Sequence, residues 1–500
     1  MEALFGNLGH GFSVALSFQN IALCFMGCMI GTLIGVLPGV GPIATIAILL
    51  PITFNLDPTG ALIMLAGIYY GAQYGGSTTA ILVNIPGEAT AVVTTLDGHQ
   101  MAKQGRAGTA LGLAAIGSFV AGTFSTMLIA AVGEPLTRLA LLFGPADYFS
   151  LMVLGLTFSV VLARGSILKA IAMTFVGLLL STIGTDLETG DERLTFGLSV
   201  LSDGIDFAVL AMGIFGFAEI LRNLETPEAR DVVRGTIGRL LPDRAELAQA
   251  VRPILRGTGI GAILGILPGN GAVLGPFAAY SVEKKLAKDP TRFGHGALEG
   301  VASPEAANNA GAQTAFIPLL TLGIPPNAVM ALMVGAMTIH GVIPGPLVMT
   351  KNPDLFWGMI ASMWVGNLML LIINLPLIGL WVRLLKIPYR LMFPAILIFC
   401  SIGIYSVGNN PGDVYLTAFF GIVGYTIIKL GFEPAPLVLG FVLGRLIEEK
   451  FRQAMTLARG SAFTFLENPI SAGLLILAVV ILVIALVPVV QKSREVAFKE

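Results

Sequence analysis

Gly31-Thr32-Leu33-Ile34-Gly35-Val36-Leu37-Pro38-Gly39-Val40-Gly41 decides how the chain is read, because it occurs twice. Gly261-Ala262-Ile263-Leu264-Gly265-Ile266-Leu267-Pro268-Gly269-Asn270-Gly271 repeats it 230 residues later (261 − 31), in a chain of 500. An offset of nearly half the length points to two related halves. In each copy an apolar, helix-like run with small residues four apart meets Pro-Gly-x-Gly, which breaks a helix, and an apolar run resumes beyond it. Apolar helices interrupted at matching points of two halves point to a transporter's binding site.

Composition sets the environment. The chain is 55% hydrophobic and 12% charged, with mean hydropathy +0.84, against roughly 25% charged for a soluble domain. That makes it a polytopic membrane protein and gives it no nucleic-acid-binding character. The net charge of −1 says little, but its distribution says more. No Lys or Arg precedes Lys103, whereas Arg222, Arg230, Arg234, Arg239, Arg244, Arg252 and Arg256 crowd one stretch. The positive-inside rule puts that stretch in the cytoplasm and the N-terminus outside. Met1–His10 lacks a basic n-region and a cleavage site, so the first span is expected to serve as its own insertion signal. Cys24, Cys28 and Cys400 lie in apolar runs without His or Cys companions and read as buried small hydrophobes rather than a metal site.

The flanks of the two motifs differ in charge. Ile21–Leu37 and Gly39–Phe54 have no basic residue at either end, whereas Val251–Leu267 and Gly269–Val282 carry Arg252 and Arg256 before them and Lys284, Lys285 and Lys288 after. Each limb is about 14–17 residues, or ~21–26 Å as helix, short of the ~30 Å bilayer core. Matching flanks fit a re-entrant hairpin that enters and leaves on one side: the first from outside, the second from the cytoplasm. The alternative is two short spans with a Pro-Gly kink. The hairpin reading predicts an inverted-topology repeat.

A second element also recurs. Gln73-Tyr74-Gly75-Gly76-Ser77-Thr78-Thr79-Ala80 leads to Asn84-Ile85-Pro86-Gly87-Glu88-Ala89, and Asn308-Asn309-Ala310-Gly311-Ala312-Gln313-Thr314-Ala315 leads to Gly323-Ile324-Pro325-Pro326-Asn327-Ala328. Matching Thr79 to Thr314 and Pro86 to Pro325 gives offsets of 235 and 239, which predicts one extra helical turn in the second copy. Glu299, Glu305, Asn308 and Asn309 lie in a small-residue run that lipid would not tolerate.

Elsewhere, Thr94–Gly108, with Asp97, His99, Lys103 and Arg106, reads as a cytoplasmic loop or surface helix. Spans are expected at Gly108–Val132, Leu139–Leu162, Ile167–Ile183, Ile205–Leu221, Asp354–Trp381, Pro388–Ser406, Val414–Ile428, Pro434–Leu446 and Ile470–Val490, with an external loop at Gly184–Asp203. Lys492, Arg494 and Lys499 place the C-terminus inside. The expected fold is an all-α polytopic membrane protein of two inverted repeats with about a dozen transmembrane helices. Residues 1–221 form the first repeat, 222–256 a cytoplasmic linker, 257–469 the second repeat, and 470–500 a last span with a cytoplasmic tail.

Backbone N–H groups freed at a Pro-Gly break point into the cavity that the break lines, and helix N-termini meeting near the midplane hold carboxylates without a buried Arg or Lys. The candidate substrate residues are Pro38, Gly39, Val40, Gly41, Ser77, Thr78, Thr79, Asn84, Pro86, Gly87, Pro268, Gly269, Asn270, Gly271, Asn308, Asn309, Pro325, Pro326 and Asn327, with Gln313 and Thr314 as further neutral donors. Gly31, Gly35, Gly261 and Gly265 read as close-packing residues. Val40 aligns with Asn270 and Glu88 with Asn327, so the halves differ where function wants asymmetry. A carboxylate at an intramembrane break must titrate, pair or bind a cation. Glu88, then Glu305, are the candidates for coupling to H⁺ or Na⁺. Glu88 also reads as an interface residue at a helix N-terminus, where a carboxylate is favoured anyway. No cofactor is expected. Asp413 after Gly412 lacks a second Asp for an intramembrane protease, His295 and Glu299 lack zincin spacing, and no phosphate-binding Gly-x-x-x-x-Gly-Lys-Ser/Thr occurs.

Gly35-x-Leu37-Pro38-Gly39-x-Gly41, Ile85-Pro86-Gly87-Glu88-x-x-x-Val92-Val93-Thr94-x-x-Asp97-Gly98, Met101-Ala102-Lys103-Gln104-Gly105-Arg106-Ala107-Gly108 and Glu299-Gly300-Val301-Ala302-x-Pro304-Glu305-Ala306-Ala307-Asn308-Asn309-Ala310 together resemble the large membrane subunit of the tripartite tricarboxylate transporters, the TctA family. The resemblance runs from about Gly27 to Arg459. It implies a bacterial inner-membrane secondary transporter for organic anions, driven by an ion gradient. It also implies a small integral membrane subunit and a periplasmic solute-binding protein as partners, and is compatible with a homodimer. Pro326 and Asn327 stand where Gly often follows Gly-Ile-Pro in the family, a departure that bears on substrate detail. The other classes considered are a membrane-embedded enzyme acting on a lipid-soluble substrate and an anion channel.

Overall fold

The structure, a computed structural model, describes residues 2–37, 41–163, 166–186, 188–225, 238–268, 271–384 and 389–487. The first half holds α1 (Glu2–Ala15), α2 (Phe18–Val36), α3 (Pro42–Thr53), α4 (Pro58–Val83), α5 (Val92–Lys103), α6 (Ala107–Ala140), α7 (Pro145–Leu162), α8 (Ile167–Ser181) and α9 (Phe207–Glu225). The second holds α10 (Arg244–Ile266), α11 (Gly271–Leu286), α12 (Glu299–Thr314), α13 (Phe316–Leu322), α14 (Ala328–Ile339), α15 (Pro353–Asn374), α16 (Ile378–Leu384), α17 (Tyr389–Gly408), α18 (Pro411–Lys429), α19 (Pro434–Leu457) and α20 (Pro469–Leu486), one-turn helices being left unlabelled. A small antiparallel pair, Gly184–Thr185 with Glu192–Arg193, lies between α8 and α9.

Among the described residues, seven helices (α2, α6, α7, α9, α15, α18 and α20) are long and apolar enough to cross a bilayer. The chain is an all-α polytopic membrane protein. Several helices start at an Asx-Pro pair: Asp57-Pro58, Asn410-Pro411 and Asn468-Pro469. The Asp or Asn oxygen takes up first-turn N–H groups and Pro presets the dihedral of the first residue. Asp57 accepts from Thr59 N at 3.1 Å and Gly60 N at 3.2 Å.

Three expectations are corrected. The span expected from Leu139 starts at Pro145, because α6 continues through Pro135 to Ala140. The stretch Asp354–Trp381 is two helices, α15 and α16, since Pro376 between them lacks an N–H and clashes with the preceding turn. Thr94–Gly108 is a surface element only at Leu96 and Lys103–Gly105: most of it is α5, whose Thr94, Asp97, His99 and Met101 are buried. Its charged residues mislead because Asp97 is satisfied internally, accepting from the backbone of Gly294 (2.9 Å), Gly296 (2.8 Å) and Ala297 (2.8 Å) and from Tyr280 Oη (3.0 Å).

The glycine stripes set the packing. Gly27, Gly31 and Gly35 of α2 lie against the carbonyls of Met64, Ile68 and Ala72 of α4, so closely that a Cβ on any of them would collide with backbone. Both series ascend together, so α2 and α4 run parallel. Gly257, Gly261 and Gly265 of α10 meet Ser303, Ala307 and Gly311 of α12 in the same way. A chain that passes from α2 through α3 into a parallel α4 has returned to the side on which it started. The small-residue reading of Gly31, Gly35, Gly261 and Gly265 is what these contacts display.

The contacts also fix the register. The α4 and α12 residues met by matching glycines stand 239 apart, as at Met64 and Ser303 (303 − 64), the offset that also separates Glu88 and Asn327 beyond them (327 − 88). No turn is inserted; Thr79 and Thr314 share an identity but not a structural position. Asn84 and Gly323, also 239 apart, both adopt left-handed backbone, φ 59° and 73°, at the ends of α4 and α13. There the chain leaves the helix and re-enters one at Ala89 and Ala328.

α4 and α12 face each other in opposite directions. Ser77 of α4 meets Glu305 of α12, while Tyr69, two turns earlier, has its ring 6.4 Å from and tilted against that of Phe316, farther along the chain. α4 and α12 are therefore antiparallel. The flanking helices cross over: α6 lies along α12, with Ser118 on Asn309, and α15 lies along α2 and α4. Cys24 and Cys28 are buried free thiols in that second seam, pointing at the carbonyls of Ser362 (3.8 Å) and Gly366 (3.7 Å). Asn367 of α15 completes it, accepting from Tyr74 Oη at 2.8 Å and donating to Phe119 O at 2.8 Å. α7, α8, α19 and α20 pack together beside this core.

A candidate binding site at the two chain breaks

α4, the re-entry into α5 and the middle of α12 meet around two carboxyl groups. Glu305 sits in the middle of α12 with no exposed surface. One of its oxygens accepts from Ser77 Oγ at 2.5 Å, the other from Thr94 Oγ1. Glu88, at the re-entry into α5, accepts from the Thr90 hydroxyl and from Asn308 Nδ2 at 3.3 Å. Thr90 also lies 2.9 Å from Gln73 Oε1, and Ser77 Oγ lies 2.9 Å from Gln73 O, so one residue of α4 touches the surroundings of both acids. Among the described residues neither acid forms an ion pair with Lys or Arg. Burying a carboxyl group without a cation is costly unless it is neutral or fully hydrogen-bonded. These two instead sit among hydroxyl and amide donors, a surrounding that can take up or release a single positive charge.

Most of the predicted residues have a definite place. Ser77 and Asn308 are on the acids. Asn309 donates to Ser118 Oγ at 2.6 Å and to Glu305 O at 3.1 Å. Thr78 lines a cavity of about 20 Å³, with Tyr74, Ser77, Ser118 and Asn374 in its wall, room for one water. The Thr79 hydroxyl is directed to the end of α2, at 3.2 Å from Gly35 O and 2.9 Å from Val36 O. Gly87 packs on Gly35 O and Gly76, where no side chain fits. Asn84 is exposed, Pro86 is half-buried, and Pro325 and Pro326 are buried beside Asn327. Asn327 caps α14, accepting from Met330 N at 2.9 Å. At the hairpin tips, Gly41 caps α3 in open space and Gly271 packs on Leu264 O after Pro268. Pro38, Gly39, Val40, Gly269 and Asn270 lie outside the described residues.

Both readings of Glu88 have a counterpart in the geometry. It is the N-cap of the Ala89–Ala91 turn that leads into α5, yet its carboxylate makes no capping bond and turns inward to Thr90 and Asn308. Residues that sequence reasoning left out are Gln73, Thr90, Thr94, Ser118 and Tyr69. Thr90 and Thr94 stand two and six residues after Glu88, a spacing that was available as a signal once the segment was read as buried. Tyr69, 4% exposed, lies in the neighbourhood of Asn327 and Glu88. Asn308 Oδ1 and Gln313 Oε1 are buried without a partner.

The model of the tripartite tricarboxylate transporter TctA family matches residues 21–439. The chain is 56% identical over 500 residues to an uncharacterized 52.8 kDa protein in the TAR-I ttuC' 3' region of Agrobacterium vitis, covering 100% of both chains. It is also 61% identical over 240 residues to an uncharacterized protein in the TAR-II ttuC' 3' region of the same organism, covering 48% of this chain and 99% of that one. No solved structure matches.

Proposed function

The chain belongs to the tripartite tricarboxylate transporter TctA family, and from that premise we propose that it is an ion-gradient-driven secondary transporter importing organic carboxylates. As a member it is a component of a tricarboxylate transporter and not an enzyme. In this reading a periplasmic solute-binding protein delivers citrate or a related di- or monocarboxylate, and a small integral membrane subunit completes the assembly. The chain lies in the bacterial inner membrane with its N-terminus periplasmic and its C-terminus cytoplasmic. Residues 1–221 and 257–469 act as inverted repeats joined by the 222–256 linker, and residues 470–500 add the last span and tail. A homodimer fits the same scheme.

The observation that carries the proposal is the pair of acids, Glu88 and Glu305, held by hydroxyls and amides where the two halves meet. A group that binds H⁺ or Na⁺ beside an anion site links the two ligands, and linkage of that kind is what drives accumulation. Parallel α2 and α4, parallel α10 and α12, and antiparallel α4 and α12 support the inverted repeat. Broken helices at its axis match the way secondary transporters build substrate sites from helix N-termini.

The test is uptake of radiolabelled citrate, succinate and butyrate into proteoliposomes holding the chain with its small subunit and binding protein, with and without an imposed pH or Na⁺ gradient. Gradient-driven accumulation is expected, and it names the ion. Equilibration without accumulation points to a channel instead, and no movement with every component present refutes the proposal.

A further inference from the structure

We propose that Glu305 exchanges a proton with the cytoplasmic side through the Ser77 hydroxyl and a water held in the cavity beside it, which makes H⁺ the coupling ion. The inference rests on the transporter reading above and adds the proton's route to it.

Ser77 has a single O–H proton and two acceptors within its reach, Glu305 Oε2 at 2.5 Å and Gln73 O at 2.9 Å. While Glu305 is ionised, that proton points to the carboxylate. Once Glu305 carries a proton of its own, Glu305 donates to Ser77 Oγ and Ser77 turns its proton to Gln73 O. A hydroxyl serves as donor and acceptor at once, so both protonation states fit the same heavy-atom positions. Thr94 holds the other oxygen of Glu305 and does not line the cavity.

Ser77 does line it. The cavity, about 20 Å³ between α4, α6 and the break from α15 to α16, exceeds the ~10–15 Å³ that a water occupies. A buried water also needs polar partners, and the wall supplies them. Asn374 is 5% exposed and its Oδ1 is buried without a partner, an acceptor for a water proton. Ser118 Oγ accepts from Asn309 Nδ2 at 2.6 Å, and no acceptor among the described residues takes its own proton, which can go to the water. Ser77 Oγ is the remaining acceptor. On the far side, Leu375 and Ile378 of the wall flank the exposed Pro376. Leu240 of the 222–256 linker lays its carbonyl on Gly112, next to Leu111 of the wall. The positive-inside rule puts that linker in the cytoplasm.

For release, Glu305 gives its proton to Ser77 Oγ as Ser77 gives its own to the water, which passes one on toward the linker. Glu305 becomes a carboxylate and Ser77 ends as it began. The other ionisable groups around Glu305 are held elsewhere. Tyr74 of α4 donates to Asn367, and Glu88 is reached from α12 through Asn308. On α5, Asp97 lies against Gly300 and its loop, and His99 is turned to Ile81 O. Glu283 of α11 is paired with Arg256 of α10 and lies 3.4 Å from Ser303 Oγ. α6 brings Ser118 to this face.

The experiment uses proteoliposomes holding the chain with its small subunit and binding protein, with labelled citrate, succinate and butyrate as probes, for wild type, Ser77→Ala and Ala114→Val. Ala114 stands in the cavity wall, and Val there takes the water's space while leaving the hydroxyls on Glu305 in place. Accumulation driven by a pH gradient requires the proton to leave; exchange of internal for external anion lets it stay bound. Each variant is expected to lower accumulation by about tenfold or more, with exchange within about twofold of wild type. Equal loss of both modes marks a merely structural role and overturns the proposal. Unchanged accumulation in either folded variant also overturns it, as does wild-type accumulation that follows a Na⁺ gradient at clamped pH. If Ser77→Ala does not fold, Ala114→Val decides alone. Wild type that accumulates none of the probes under either gradient removes the transporter reading itself, whereas wild-type accumulation with unchanged variants removes only this inference.

Discussion

Replacing Asp97 tests the contact that ties α5 of the first half to the second. Its carboxylate accepts from the backbone of Gly294, Gly296 and Ala297 and from Tyr280 Oη, and it has no exposed surface. In Asp97→Ala the three N–H donors lose their acceptor. Ala297 is buried, so its donor bears the full penalty of a buried unsatisfied group, about 1–3 kcal/mol. Gly294 and Gly296 are half-buried and can turn to water, which leaves each a net loss of ~0.5–1.5 kcal/mol. The sum is about 2–6 kcal/mol for Asp97→Ala. Asp97→Asn keeps an acceptor oxygen and loses only the charge, so about 1–2 kcal/mol is expected. Amide hydrogen exchange reads such local free energies directly. At 1.36 kcal/mol per factor of ten, 3 kcal/mol speeds exchange at Ala297 by roughly a hundredfold or more. Exchange in Asp97→Ala within about threefold of wild type, or no difference between the Ala and Asn variants, would refute the reasoning.

Further outcomes follow from other contacts. Arg452 holds the Asp186 carboxyl down to about 2, helped by the Glu188 backbone. With the folded pKa below the unfolded one, this stabilisation is present above about pH 4 and is lost as pH falls toward 2; thermal stability should drop through that window in wild type and less in Asp186→Asn. Gly31→Ala and Gly261→Ala place a Cβ against the backbone of Ile68 and Ala307 and are expected to cost about 1–3 kcal/mol each. Gly259→Ala, where the space is open, serves as the control in the same thermal-stability assay. Single cysteines in 54–58 and 284–289 should react with impermeant maleimide from opposite sides of the membrane, and labelling from one side would end the inverted-hairpin reading. Asn309→Ala is expected to lower substrate uptake several-fold with folded protein retained; unchanged uptake would take Asn309 out of the site.

The architecture was legible where the physics is local. Gly31 and Gly261 announce close helix approach by their spacing, and Pro38 and Pro268 announce a break at the same place twice. Glu305, Asn308 and Asn309 stood out because polar residues in an apolar run need a reason. What hid was everything decided by contacts between distant segments. Asp97 looked exposed because its partners, three N–H groups and a tyrosine, lie about 200 residues away and carry no sequence mark. Thr79 and Thr314 were matched by identity, whereas register is set by which carbonyl each glycine meets. Ser118 and Tyr69 reach the site from apolar helices whose neighbours cannot be read from composition.

The polarity of α12 has a consequence for how the protein is made. Sixteen residues that include Glu305, Asn308, Asn309 and Gln313 are a poor substrate for the translocon, which partitions segments into lipid by their hydrophobicity. By the time α12 emerges from the ribosome, α4, α5 and α6 have already been synthesised, and they carry the groups that receive it: Ser77, Thr94 and Ser118. The polar partners of α12 are thus in place in the chain before α12 itself is made.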